Sequence, residues 1–569
     1  MALVRKYLRT PRLRTRESFL RYLEKWILVS IAVGLLAGIV VALFDYATNL
    51  QMWARFSALY SQHPLLVFPL VLVGLLLSGL LLNRSTTRLG SGTEEVVMAY
   101  NNHDVKMDER SFPLKMLAAI LTIGMGGSAG QEGPSVYAGG VVGSWIWRRL
   151  RRVGLGDDDR RTLILAGAAA GIGAVFKAPL TGVIFALEAP YKDDLAHDAL
   201  IPSLLSSVSS YLTLIAIDGP EPLFRFPGAV PLSLMDIGAA AVLAVVCGLA
   251  ALVFIGVYRS VLNLMRKLKM QLLYRALIGA LVISIIGVIS VSLFQRPYPL
   301  GLSYDLINVA LTQNTLPSTL MALFVMKLFA TSFTLGTTGV GGIFIPQIVM
   351  GAALGGIFGE AFFPARVGLF VAVGMASFLA AGYKTPLAAV AFVAETTFGP
   401  GYLIPSLVAA AISYSITGEA SVSEYQKLRG EIDISQIAHL AVKDVMTETV
   451  VAVPAQLSVS DFVEEYLLQY QYKTFPVVDM ESRLLGCVAI SQVRNVPRER
   501  WLDVKVVDIC SKDLHPAYPD SSLQDVLDLM YRTGLGRIPV VDRLRQRRIV
   551  GIVSKSDIIR TLEKERLGV

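Results

Sequence analysis

KAPLTGVIFALE, residues 177–188, returns as KTPLAAVAFVAE at residues 384–395. The two segments share Lys, Pro, Leu, Val, Phe and Glu at six of twelve positions without a gap. Ten residues before each lysine stands a glycine, Gly167 and Gly374. Further upstream, Pro134, Gly139 and Gly143 repeat as Pro346, Gly351 and Gly355 at the same spacing. Ordered identities of this kind divide the chain into two similar halves, about 26–216 and 234–425. Apolar segments broken by Gly and Pro at matching places in two halves point to a membrane transporter. In such a fold the broken helix ends meet near the bilayer midplane, where the ligand sits.

Composition agrees. Of 569 residues 54% are hydrophobic and only 17% charged, where soluble domains carry about 25% charged residues. Mean hydropathy is +0.56. Apolar runs of about 20 residues, the length of a membrane span, recur from Trp26 to Thr417. Beyond about 430 the charges return evenly and the apolar runs shorten to strand length. A multi-pass membrane domain over 1–430 and a soluble domain over 431–569 are therefore expected.

The net charge of +8 is concentrated at Arg5–Arg16, Trp147–Val153 and Arg266–Arg275. Basic clusters beside apolar spans mark cytoplasmic loops, which places both termini in the cytoplasm and leaves no call for a nucleic-acid partner. The amino terminus is too charged for a secretory signal. Cys247, Cys487 and Cys510 fit no disulfide framework or zinc site. With no nucleophile–base pair, metal cluster or phosphate-binding loop, an enzyme is not expected.

Three glycine-rich breaks interrupt the apolar surroundings: GSG at 90–92, GQEGP at 130–134 and GGIFIP at 341–346. In the last two a proline follows the glycines and a helical pattern begins, the grammar of a helix start. Free N–H groups at such starts favour anions. Several aimed at one midplane point would hold an anion without the full positive charge that slows its release. Glu132 stands inside the second break with no basic partner nearby in sequence. A carboxylate in hydrocarbon costs at least about 2.5 kcal/mol, so it is paired, protonated or functional.

At these residues the chain resembles the CLC family of chloride channels and chloride/proton exchangers, from about Trp26 to the end. The resemblance implies an all-α polytopic membrane fold of inverted repeats with many tilted and broken helices. It implies a homodimer with one chloride pathway per subunit. Chloride would be bound by the Ser91 hydroxyl, by backbone N–H groups around Ile343 and Phe344, and by a tyrosine hydroxyl for which Tyr425 is the candidate. Glu132 would be the gating glutamate, whose carboxylate occupies an anion site until protonation or an incoming ion displaces it. Two departures are visible: GSGTEEV replaces the common GSG-Ile-Pro, and Gln131 stands where many members carry Arg or Lys. Ser91 favours chloride over nitrate, since nitrate-selective relatives tend to carry proline there. The fluoride-exporting branch lacks this GSG and GxFxP pattern. Lys115, Lys177, Lys327 and Lys384 are expected to be structural or to snorkel to water, with Lys115 the one to tune the pore potential. Glu395 is expected to be a packing or capping residue.

The soluble part holds its own repeat. TFPVVDMESRLLGCVAISQV (474–493) matches RIPVVDRLRQRRIVGIVSKSDI (537–558), each preceded by an amphipathic helical pattern. This resembles a pair of CBS domains, α/β modules placed at about 442–497 and 505–565, which often bind adenine nucleotides. The ribose-binding pattern is present in GIVSKSD as Ser554 and Asp557, whereas the first repeat has Ala489 and Gln492 there. The alternative is a purely structural dimerisation module.

The expected function is chloride transport through a glutamate-gated pathway, with no required cofactor and no metal. Exchangers of this family usually carry a second, inward-facing glutamate. Here Glu188 stands one residue early and Ala189 at the relay position itself, which leans the reading toward a chloride channel. A chloride/proton antiporter, with Glu132 and Glu188 in the proton pathway, is the alternative. A nucleotide-sensing regulatory membrane protein without transport is the second.

Overall fold

The computed structural model describes residues 16–558 and 561, except 88–89, 103–106, 154, 225, 227–232, 269, 313–314, 398–399, 429–439, 471, 473, 513–514, 534 and 544–546. Nearly all of the basic cluster Arg5–Arg16 and most of the carboxyl end of the second CBS repeat lie outside the described residues. The chain forms two compact units, Met1–Arg429 and Gly430–Val569.

In the first unit, eight helical stretches among the described residues are long and apolar enough to cross a membrane, from Lys25–Gln62 to Pro364–Tyr383. Their faces divide by depth rather than by polarity. On the Arg16–Asp45 helix, Val33, Ala37 and Val41 are wholly buried while Leu28, Leu35 and Leu43 are exposed. A helix apolar all round, with a leucine face turned outward, is what a hydrocarbon solvent selects.

Other helices are too short to span. Pro179–Glu188 has 10 residues and Pro386–Thr397 has 12. At 1.5 Å per residue they reach about half of the hydrocarbon core, which is about 30 Å thick. Each opens on proline, whose missing N–H is no loss in a first turn. Each is preceded by a lysine held in the left-handed region, Lys177 at φ 51° and Lys384 at φ 60°. The sequence repeat is thus also a repeat of an uncommon backbone conformation.

The repeated glycines are helix crossings. A Cβ on Gly139 would meet the Gly167 carbonyl at 1.8 Å, and one on Gly351 would meet the Gly374 carbonyl at 2.3 Å. Gly143 abuts the Leu163 carbonyl and Gly355 the Phe370 carbonyl in the same way. Helix pair Glu132–Leu150 and Asp157–Val175 is thereby matched by pair Phe344–Phe362 and Val367–Tyr383, each joined backbone to backbone through small residues.

The second unit carries β1 (Val453–Pro454), β2 (Thr474–Val478) and β3 (Leu484–Ala489) in one sheet, and β4 (Arg537–Val541) and β5 (Ile549–Ser554) in another. The hairpins repeat pair by pair: Val477 faces Gly486 and Val540 faces Gly551, each followed by an irregularity at the next valine. The two glycines serve the same packing need, since a Cβ would strike Cys510 Sγ from Gly486 and Met446 Sδ from Gly551. Burial pushes the Cys487 thiol up to about 11, which leaves it protonated and unreactive. Leu523–Thr533 is the expected amphipathic helix. Its counterpart is not one regular helix. After Val459–Phe462 the chain winds wider over Val463–Leu467, where Tyr466 packs against both Phe462 and Phe475.

Candidate functional site

The three glycine-rich breaks come together. Gly130 and Gly342 pair as an antiparallel bridge, each N–H donating to the other's carbonyl at 2.9 and 2.7 Å. The Gly341 N–H donates to the Gly90 carbonyl at 3.2 Å. Backbone groups freed by breaking the helices are so satisfied against one another, as hydrocarbon surroundings demand.

Glu132 opens the helix Glu132–Leu150, and its carboxylate crosses to the start of Phe344–Phe362. The Phe344 N–H donates to Oε1 at 2.6 Å and the Ile345 N–H at 3.4 Å. The side chain is 1% exposed, and Oε2 is buried without a partner. Gly130 and Gly342 are glycine because the carboxylate fills the space a side chain would need: added Cβ atoms would lie 1.9 Å from Oε2 and 2.0 Å from Oε1. A carboxylate on first-turn amides sits where a small anion would bind. The Phe344 ring is fixed by Phe176, Phe185 and Phe392, with centroids at 5.1, 5.3 and 5.4 Å. Phe185 and Phe392 are the matching phenylalanines of the two repeat segments. Both halves therefore hold the residue whose amide holds the Glu132 carboxylate.

Ser91 immediately precedes the Gly92–Asn101 helix, in extended conformation. With Ile343 and Tyr425 it lines a cavity of about 280 Å³, so three of the four expected chloride ligands share one space. Tyr425 is a partly buried wall residue whose backbone carbonyl accepts from Asn101 Nδ2 at 3.3 Å. Arg266 and Arg275, from one of the basic clusters, line the same cavity. Arg266 is paired with Glu424 at 3.1 Å and Arg275 donates to the Thr337 carbonyl at 2.7 Å. Guanidinium groups lining a low-dielectric cavity raise the local anion concentration. A second cavity, about 490 Å³, is lined by Asp45, Gln131, Lys177, Asp218 and Tyr304 and shares no lining residue with the first. Glu132 follows Gln131 in one wall and is bonded to Phe344, which follows Ile343 in the other.

The lysines do not snorkel. Lys115 is buried in an ion pair with Glu95, also bonded to Thr87, so its charge is neutralised locally rather than offered to the pore. Lys327 is wholly buried and donates to Ser303 Oγ at 2.7 Å and to the Pro299 and Gly301 carbonyls. Lys384 donates to the Tyr414 carbonyl at 2.8 Å and to Thr417. Lys177 pairs with Asp218 at 2.8 Å. Each ammonium finds fixed acceptors within the protein, which removes the need to reach water.

Glu188 accepts from the Leu387 and Ala388 N–H groups at 2.9 and 2.8 Å, capping Pro386–Thr397. Both its oxygens are committed to that helix start, and Ala189 beside it is buried and apolar. Two residues that the sequence reading passed over adjoin the site. Glu94 lines the Ser91 cavity; the departure GSGTEEV was its signal. Tyr383, 2% exposed, stacks edge-on against Phe185 at 5.3 Å; it reads in sequence as one more apolar residue of a buried helix.

In the second unit, Asp557 Oδ2 accepts from the Ser554 N–H at 2.9 Å and from its hydroxyl at 2.6 Å, while Ser554 Oγ accepts from the Asp557 N–H at 3.2 Å. This is a reciprocal helix cap. Gln492 caps the Ala489 N–H at 2.6 Å in the first repeat, so the motif has a structural task at both places.

The chain belongs to the CLC family: the voltage gated chloride channel family matches residues 73–418, and CBS domains match residues 442–499 and 506–564. It is a multi-pass membrane protein of anion transport, not an enzyme. It is 27% identical over 438 residues to the H(+)/Cl(-) exchange transporter ClcA of Vibrio cholerae, spanning 73% of this chain and 89% of that protein. The structure of a slow cyanobacterial Cl-/H+ antiporter shares its fold with TM-score 0.63 at 23% identity, over 70% of this chain and 96% of that one. A CLC-type fluoride/proton antiporter is similar with TM-score 0.62 at 25% identity, over 73% of this chain and all of that one.

Proposed function

We propose that this chain exchanges chloride for protons, one coupled pathway per subunit of a homodimer with both termini cytoplasmic. The observation that carries it is the Glu132 carboxylate seated on the Phe344 amide. A carboxylate and chloride compete for that amide, and protonation withdraws the carboxylate from the competition. Anion occupancy and proton occupancy are thereby linked at one place. The naming of relatives as H(+)/Cl(-) exchange transporters supports coupling over passive flow. A chloride channel is the second reading, favoured by Ala189 at the relay position and by the capping task of Glu188. Ser91 in the cavity supports chloride over nitrate, and the GSG and GxFxP pattern supports chloride over fluoride. Ser554 and Asp557 are the proposed adenine-nucleotide contacts of the tail.

The test is proton movement driven by a chloride gradient in proteoliposomes. Sustained uphill proton uptake is the expected result; chloride flux with a reversal potential insensitive to pH would establish the channel instead.

A further inference from the structure

An exchanger must pass protons from the gate to the inner water, and the family's usual position offers only Ala189. The cavity containing Ser91 offers another carboxyl. Two carboxylates line it among the described residues, Glu94 and Glu424. Glu424 is held by Arg266. Glu94, in the first turn of Gly92–Asn101, has Oε2 buried without a partner. The Ser423 hydroxyl and the Glu424 and Tyr425 amides lie within reach of its carboxylate. Tyr258, Tyr383, Tyr425 and the paired Glu424 are titratable groups within its electrostatic reach, and Arg266 and Arg275 line the same space.

Tyr383 joins this carboxyl to the gate. It ends the Val367–Tyr383 helix, and its hydroxyl lies within reach of the side chain of Thr93, the neighbour of Glu94. It lies within electrostatic reach of both Glu94 and Glu132. Its ring packs on Phe185, which packs on Phe344, whose amide holds Glu132. A hydroxyl both donates and accepts, so it can take a proton on one side while giving one up on the other.

Resting on the exchange reading above, we propose that Glu94 is the carboxyl through which protons pass between the inner cavity and the gate, with the Tyr383 hydroxyl as the step linking it to Glu132. On the inward step the Glu132 acid gives up its proton and returns to the Phe344 amide as a carboxylate. That proton reaches Tyr383 Oη, directly or along water, while the proton already on Oη leaves for the Glu94 carboxylate. Glu94 then releases it to water in the cavity, and the tyrosine ends as it began.

Full-length protein in liposomes under a chloride gradient, with proton uptake and chloride efflux read from the same vesicles, tests this. Glu94→Gln should lower protons moved per chloride by about tenfold or more, the scale of losing one proton-transfer group, while chloride efflux shows that the protein is folded. Tyr383→Phe should lower the ratio in the same direction, and Glu94→Asp should restore much of it. Unaltered coupling in Glu94→Gln, with coupled wild type, overturns this assignment and leaves the exchange reading standing. A wild type that moves no protons uphill overturns both.

Discussion

Glu188 and Glu395 each cap the helix that begins the other's repeat segment. Glu188 accepts from Leu387 and Ala388, and Glu395 accepts from Leu180 and Thr181 at 2.8 and 2.7 Å. The two halves are thus fastened by a reciprocal exchange of carboxylates for helix amides. Replacing either glutamate by alanine should cost stability, about 1–3 kcal/mol for amides left unpaired. Matched losses of thermal stability in detergent are expected from Glu188→Ala and Glu395→Ala. A loss from Glu188→Ala alone would contradict the symmetry.

Glu132 should govern the pH response. As pH falls the carboxyl protonates and leaves its amides, so chloride flux in the wild type should rise. Glu132→Ala should flow at all pH values with little change, and Glu132→Gln should resemble the protonated wild type. Measurement is chloride efflux from liposomes across a pH series; an unchanged pH response in Glu132→Ala removes the gating role.

Gly342 provides an independent check on the same seat. A Cβ there would lie 2.0 Å from Glu132 Oε1 and 2.7 Å from the Gly133 nitrogen. Gly342→Ala should therefore expel the carboxylate, and the variant that reaches the membrane folded should share the flattened pH profile of Glu132→Ala. A wild-type profile in a stable Gly342→Ala protein would show that the carboxylate does not need this space.

Anion choice should rest on Ser91, which lines the cavity together with Ile343. Ser91→Pro is expected to shift preference toward nitrate. Tyr425→Phe should weaken chloride by about 1 kcal/mol, one hydrogen bond. Isothermal calorimetry with chloride and nitrate reads both, and unchanged affinities would dismiss the pair.

In the tail, Asp557 has a structural task before any nucleotide arrives. Asp557→Ala should lower the tail's thermal midpoint, for a cap worth about 1 kcal/mol. It should also lower adenine-nucleotide affinity at least several-fold, whereas Gln492→Ala should cost only the cap. Nucleotide titration of the full-length protein separates the two effects, and absence of binding by the wild type at about millimolar concentration, a free energy near 4 kcal/mol, would leave a structural module.

The membrane fold was legible because its repeat is written in residues with fixed backbone meaning. Pro179 and Pro386 mark helix starts, and Gly139, Gly167, Gly351 and Gly374 mark crossings that tolerate no side chain. The meeting of the three glycine-rich breaks was legible for the same reason. Partners of buried charges were not. Nothing local in FPLKMLAAIL says that Lys115 meets Glu95, because the pairing is made by the packing of two helices rather than by spacing along one. Tyr383 and Glu94 escaped notice alike: a tyrosine ending an apolar helix and one of two adjacent acids acquire their meaning only from what lies opposite. The wide winding at Val463–Leu467 runs against a regular amphipathic pattern, and Tyr466 against Phe475 accompanies it.

The glycine crossings carry one more consequence. Where Gly139 rests on Gly167 and Gly351 on Gly374, two peptide backbones touch with no side chain between them to yield or interdigitate differently. Sliding either pair would break contact along a whole helix, whereas Glu132 needs only rotation about its own side-chain bonds to leave Phe344. The scaffold around Glu132 is built stiff, so the part that moves most easily is a single side chain, and vacating the Phe344 amide should need a torsion rather than travelling helices.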